Sequence, residues 1–233
     1  MANVLYERRR WLIATTGALL LATPALADHR RQATPKTKAT EGGITATERL
    51  MRDSGVLLRI MSIYEAGARR LGGGEDIEPK IFTLAAETMR DFVHGYHEKQ
   101  EDELVFPRFK KAGRMVELVD VMMAQHGSGR KLTATILELA PKSSTKAERQ
   151  SMIDAMQASI VLYRPHVARE LTDVWPTLRT LLTPNEFDEL SATLEKDETE
   201  KLGKDGFDKM VKTVEALEKR LGINDLSLFT PKS

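Results

Sequence analysis

Two histidine–glutamate pairs, His97-Glu98-Lys99-Gln100-Glu101 and His166-Val167-Ala168-Arg169-Glu170, constrain this chain more than any other feature. Each lies on an apolar stripe. Phe82, Ala86, Met89 and Val93 lead by steps of three and four to His97 and Leu104, and Met152, Met156, Ser159 and Tyr163 lead to His166, Glu170 and Val174. Such steps mark the core-facing side of a helix, so an imidazole and a carboxylate are placed inside, twice. Four residues advance a helix by about 400°, leaving the members of a pair ~40° apart and roughly 6 Å along the axis, near enough to serve one centre. A buried carboxylate without a partner costs on the order of several kcal/mol. It is therefore paired with a cation of the protein or binds a metal, and these stripes carry no Lys or Arg apart from Arg130 at an edge.

Two further stripes supply the rest of a bundle. A helix opened by the capping box Thr45-Ala46-Thr47-Glu48 repeats Leu50, Ser54, Leu57 and Met61 until Gly72-Gly73-Gly74. Ser54 is its odd member, and a lone Ser in such a stripe reads as a small residue bonding back to its own helix. The second helix starts at Pro79, carries His97 and Glu101, and stops near Lys111 after a kink at Phe106-Pro107. A third begins at Gly113, with the stripe Met115, Val119, Met122, His126, Gly129, Thr133 and Ile136. The fourth follows a break at Pro141 and Ser143-Ser144, opens on the capping box Thr145-Lys146-Ala147-Glu148 and runs toward Pro176, with a bend expected at Pro165 just before His166. A third capping box, Thr183 to Glu186, starts a charged helix to about Leu202, and a last helix spans Phe207 to Leu221. No strand signal exists, so the fold class is all-α: an antiparallel four-helix bundle over 45–183 with C-terminal helices, residues 184–233, packed on it as an amphipathic cover.

Arg8-Arg9-Arg10, the apolar run Trp11 to Leu21 and Ala25-Leu26-Ala27 read as an export signal cleaved after Ala27, and the arginines resemble a twin-arginine signal with Glu7 in place of the usual Ser or Thr. The run is too short to span a membrane. Residues 28–44 read as a flexible linker, and the expected location is the periplasm. Losing residues 1–27 leaves 32 basic and 33 acidic side chains, a balance that attracts no nucleic acid. With no cysteine, His and carboxylate are the only strong metal ligands.

The inward faces of four antiparallel helices bring His97, Glu101, His126, His166, Glu170 and Ser54 into one layer. Three imidazoles with two carboxylates suit iron, manganese or zinc, and the absence of sulfur favours the first two. His94, three residues before His97, points away from the ligand direction and reads as a surface or edge histidine. The zincin motif fails because position 101 is not His, and the ferritin-like motif fails because no Glu-x-x-His occurs.

His97 to Glu101 with Phe106-Pro107, Gln125-His126-Gly127-Ser128-Gly129-Arg130, Tyr163-Arg164-Pro165-His166 through Glu170, and Leu50 through Leu57 together resemble the bacterial haemerythrin-like (HHE cation-binding) domain over residues 45 to about 183. The resemblance implies a four-helix bundle around a non-haem di-iron centre that binds or senses oxygen. It implies His97 as terminal ligand of one iron, His126 and His166 as ligands of the other, and Glu101 and Glu170 as bridges. Where that family has a first-helix His this chain has Ser54, which would leave the iron on the His97 side weakly held. The leading expectation is a small-ligand-binding iron protein, for oxygen or a relative such as nitric oxide or peroxide. A di-metal oxidase or peroxidase, and a metal-storing or structural bundle, are the alternatives.

Overall fold

The computed structural model describes residues 43–142 and 145–231. The export segment and the linker up to residue 42 lie outside the described residues, as do Ser143 and Ser144 of the expected break. Among the described residues the regular structure is entirely helical. Helix α1 is Ala46–Gly72, α2 is the rod 79–111, α3 is Val116–Leu139, α4 is the rod 146–181, α5 is Pro184–Leu202 and α6 is Gly206–Leu221. A single 3₁₀ turn, Leu226–Phe229, follows.

All three capping boxes are formed. The Thr45 hydroxyl accepts from the Glu48 amide, and the Thr45 amide donates to Glu48 Oε2 at 2.8 Å. The same reciprocal pair joins Thr145 to Glu148 and Thr183 to Glu186. Each satisfies amides that the first turn would leave unpaired, an effect of about 1 kcal/mol. The start of α3 departs from expectation. Gly113 and Met115 both take left-handed conformations, with φ of 62° and 53°, and the helix begins only at Val116. Met115 therefore caps the turn instead of opening the stripe.

The backbone of α2 and α4 is not uniformly α-helical. α2 widens to i→i+5 turns over Met89–His97 and again over Glu101–Val105, and α4 widens over Glu170–Val174. The two wide turns that begin at a glutamate share a cause. Phe106 donates its amide to the Glu101 carbonyl, and Trp175 donates to the Glu170 carbonyl, each five residues back. The next residue in both cases is proline, Pro107 or Pro176, which has no amide to donate and whose ring displaces the carbonyl four residues earlier. A wide turn absorbs that loss. The bend expected at Pro165 is not where the irregularity falls: α4 stays α-helical from Lys146 through Arg169 and widens only at Glu170.

α1 lies against α4, α3 against α4 and against the first part of α2, while α5 and α6 run along α1. The apolar core is in two parts. One contains Leu57, Ile60, Tyr64, Phe82, Met89, Val93, Ile136, Met156, Tyr163 and Val167, joined by Val214, Leu217 and Leu221 of α6. The other contains Leu50, Val105, Phe106, Met122, Val174, Trp175 and Leu178, joined by Phe187, Leu190 and Leu194 of α5. On every bundle helix the change from one part to the other falls at the polar position: Ser54 lies between Leu50 and Leu57, and His97 and Glu101 lie between Val93 and Val105.

α1 and α2 approach closely at Gly67, where an added Cβ would lie 2.2 Å from Cε1 of the fully buried Phe82 ring. Gly67→Ala is expected to lower stability by about 1 to 3 kcal/mol, since overpacking outweighs the gain of roughly 1 kcal/mol in helix propensity. Urea denaturation of the two proteins measures the difference.

Candidate metal centre

Each of the four bundle helices contributes to the polar layer, and all six of its side chains, Ser54, His97, Glu101, His126, His166 and Glu170, are 0–3% exposed. His97 and Glu101 come from α2, where the α-helical turn Glu98–Gln100 separates the two wide segments. His97 Nε2 lies 3.3 Å from Glu101 Oε1, and Glu101 Oε2 lies 3.3 Å from His126 Nε2. His126 Nε2 is 3.3 Å from His166 Nε2, which is 2.8 Å from Glu170 Oε1. Two ligand groups result, Glu101–His126–His166 and His97–Glu101–Glu170, each with its donor atoms within 4.8 Å of one another. Glu101 belongs to both.

The outer ring nitrogens show which way two of the imidazoles face. His126 Nδ1 lies 2.9 Å from Asp102 Oδ1, and His166 Nδ1 lies 2.8 Å from Gln125 Oε1. Both partners are acceptors, so both Nδ1 atoms carry hydrogen and both Nε2 lone pairs point inward. Two lone pairs at 3.3 Å repel unless a proton or a cation stands between them. Burial pushes the His126 imidazole down, but Asp102, Glu101 and Glu98 override it and raise it to about 10. On the other side compensation is weaker. Both nitrogens of His97 and both oxygens of Glu101 are buried without a hydrogen-bond partner. Burial lowers His97 to about 4, and burial together with the neighbouring Glu170 raises Glu101 well above the usual carboxylate range. Burial likewise acts to raise Glu170, but its contacts with His166, His97 and Ser54 hold it below the ordinary value. Orphaned imidazole and carboxylate atoms around one point are the donor set of a divalent cation.

Ser54 does more than bond back to its own helix. Its hydroxyl lies 3.0 Å from the Leu50 carbonyl and 2.8 Å from Glu170 Oε2. It has one proton for two acceptors, so it serves one of them at a time. Its reach to Glu170 puts position 54 at the edge of the His97–Glu101–Glu170 group.

His94 is not the surface or edge histidine that regular α-helical spacing places there. It is buried, with Nδ1 2.8 Å from Glu98 Oε2 and Nε2 2.8 Å from Thr133 Oγ1. Both nitrogens are engaged, so His94 is no ligand. The wide segment Met89–His97 changes the angular step per residue and turns His94 toward α3. Glu98 also accepts from the Tyr163 hydroxyl at 2.8 Å and from Arg130 at 3.3 Å. Burial alone would raise Glu98, yet His94, His126 and Tyr163 hold it below its ordinary value. This carboxylate is thus a fixed negative charge beside the centre. Arg130 meets it from a half-exposed position, and the buried Arg49 lies away from the ligand layer, paired with Glu198.

Glu98, Asp102 and Gln125, which sequence spacing leaves unassigned, share a pattern. Each is the immediate neighbour of a ligand-type residue, about 100° round the helix and so aimed at an adjacent helix rather than at the centre. A polar residue beside a buried His or Glu was the available signal.

The chain belongs to the family of the hemerythrin HHE cation binding domain, whose match covers residues 45–178. It is also similar to uncharacterized proteins of Mycobacterium bovis and Mycobacterium tuberculosis, 37% identical over 197 residues, which is 84% of this chain and 77% of theirs. No solved structure matches it.

The Tyr163–Glu98 bond depends on Gly129, where an added Cβ would lie 1.8 Å from the tyrosine oxygen. Gly129→Ala is expected to displace Tyr163 and to destabilise the fold by more than Tyr163→Phe. The latter leaves Glu98 with His94 and Arg130 and costs about 1 to 3 kcal/mol. Thermal melts of both variants compare them.

Proposed function

We propose that this protein is an exported non-haem iron protein that binds oxygen, or a related small ligand such as nitric oxide or peroxide, at the His/Glu layer. The observation that carries the reading is the set of unpartnered atoms on His97 and Glu101, buried beside His126, His166 and Glu170. Glu101, His126 and His166 would hold one metal, and His97, Glu101 and Glu170 a second. Iron in such a set supplies a redox-active electrophile open to a small diatomic ligand. The residues of the chain do the rest. Asp102 and Gln125 hold the Nδ1 hydrogens of His126 and His166, keeping their Nε2 atoms aimed inward. The two apolar core parts exclude water from both sides of the layer, which strengthens every electrostatic contact within it. The negative charge of Glu98 favours a cation at the adjacent ligands.

The two metal positions are unequal, because the His97 side has one imidazole and a serine where the other side has two imidazoles. Anaerobically prepared protein is expected to contain less than a full pair of irons per chain and to develop a near-ultraviolet charge-transfer band on exposure to air. A protein that takes up no iron overturns the reading. Ser54→His should raise iron content and slow its loss to a chelator, while the added volume costs the metal-free fold about 1 to 3 kcal/mol. Iron per chain and melting temperature, each with and without metal, check this.

The export part of the proposal rests on Arg8-Arg9-Arg10, the apolar run to Leu21 and Ala25-Leu26-Ala27. Among the described residues no helix is long and apolar enough to cross a membrane. N-terminal sequencing of the periplasmic fraction should begin at Asp28.

A further inference from the structure

Two of the three imidazoles in the layer have a polar partner on their outer nitrogen, and the third has a candidate that spacing along the helix does not suggest. We propose that Asp53 is the positioning carboxylate of His97, and that Glu198 of α5 holds it in place through Arg49 and Arg52. The inference rests on the metal-centre reading above and assigns a residue outside the ligand set.

Asp53 is fully buried, and neither of its oxygens has a hydrogen-bond partner. Oδ2 lies 3.8 Å from His97 Nδ1, on the side of the ring away from Nε2, which faces Glu101. The two nitrogens of an imidazole diverge, so a group beside Nδ1 does not share the metal bound at Nε2. At 3.8 Å the contact is in ion-pair range and is not yet a hydrogen bond. His97 Nδ1 has no other partner, while the neighbours on the Asp53 side are Arg52, Arg49 and the Tyr96 hydroxyl. A cation drawing on Nε2 makes the Nδ1 hydrogen a stronger donor, and the carboxylate beside it fixes both ring and tautomer. Asp53 would thus do for His97 what Asp102 does for His126 and Gln125 for His166.

A dry carboxylate needs compensation, and α5 organises it. Oδ1 of Asp53 is 3.7 Å from Arg52 Nε. Arg52 and the buried Arg49 both bind Glu198 Oε2 with their guanidinium groups, and Arg52 also stacks on the Phe207 ring at 4.0 Å. Glu198 and Phe207 lie beyond residue 178, where the family match ends. The C-terminal helices therefore reach the weaker half of the centre through the order Glu198, Arg52, Asp53, His97.

The test compares the parent full-length chain with Asp53→Asn, Asp53→Leu and Glu198→Gln, each loaded anaerobically with ferrous iron or separately with zinc. Three quantities are followed: the rate at which each fraction of metal passes to a chelator, the melting temperature without metal, and the imidazole nitrogen spectrum of the zinc-loaded protein. In Asp53→Leu the faster-released fraction should leave about 10- to 100-fold sooner, with the slower fraction unchanged. Its metal-free melting temperature should hold or rise, because an unpartnered buried carboxylate has been removed. Asp53→Asn should lie between the parent and Asp53→Leu, since its amide oxygen still accepts from Nδ1, and the His97 Nδ1–H signal should keep its hydrogen-bonded shift in Asp53→Asn and lose it in Asp53→Leu, the nitrogen staying protonated in both. Glu198→Gln should speed release in the same direction by a smaller factor. Unchanged release from Asp53→Leu, or faster release of both fractions together with a lower metal-free melting temperature, overturns the positioning role. Unchanged release from Glu198→Gln overturns the coupling to α5. A parent chain that takes up neither metal overturns the metal reading along with this one.

Discussion

Desolvation of the His/Glu layer is the constraint on which the rest of this structure depends. Six polar side chains at 0–3% exposure occupy a cross-section that an ordinary bundle would fill with leucine. They divide the apolar core into two parts on every bundle helix. Taking an isolated charge out of water costs several kcal/mol even after relaxation, by order of magnitude. The chain meets that cost on one side with acidic neighbours and hydrogen bonds: His126 is held well above its usual range, and Asp102 and Gln125 take the outer nitrogens. On the other side it leaves His97 and Glu101 unpaired. The two apolar parts of the core must therefore hold together a layer that opposes burial, which is a reason for both to be large and for α5 and α6 to extend them.

The backbone adapts to the same layer. Glu101 and Glu170 each begin a wide turn, each accepts at its carbonyl the amide of an aromatic residue five positions on, and each aromatic is followed by proline. His-x-x-x-Glu-x-x-x-x-aromatic-Pro thus occurs twice, at 97–107 and at 166–176. At these two places the wide turn accommodates the amide that the proline lacks, and it falls where the carboxylate enters the layer. The aromatic has a structural task as well: the Phe106 ring stacks on His126 at 5.7 Å between centroids. Backbone irregularity and carboxylate placement thus recur together on two helices, and at Phe106 ring packing joins them.

Much of the fold was legible because it depends on near neighbours. The stripes through Leu50, Phe82, Val119 and Met156, the threonine–glutamate caps and the glycine stops are encoded within a turn or two of the residues they organise, and they place the bundle helices to within a few positions. His97, Glu101, His126, His166 and Glu170 were legible for a related reason: an ionisable residue on a core stripe is a contradiction in one dimension that only a partner in three can resolve. Where the angular step departs from that of an α-helix, spacing no longer gives the direction of a side chain. His94 lies in a widened stretch and points at Thr133, and Pro165 passes without the break that appears at Glu170.

The sequence by itself determined the helices, the face each one buries, and which side chains must find a cation or a proton there, since all of these follow from periodicity and from the cost of dehydrating charge. Only the tertiary structure decided which nitrogen of each imidazole faces inward, that Ser54 reaches Glu170 as well as Leu50, and that Asp53 stands behind His97 with two arginines and Glu198 beyond it. Those relations join residues far apart in the chain, from Asp53 to Glu198 and from Gln125 to His166. They depend on the rotation of one helix against another, and no spacing along a single helix encodes that angle.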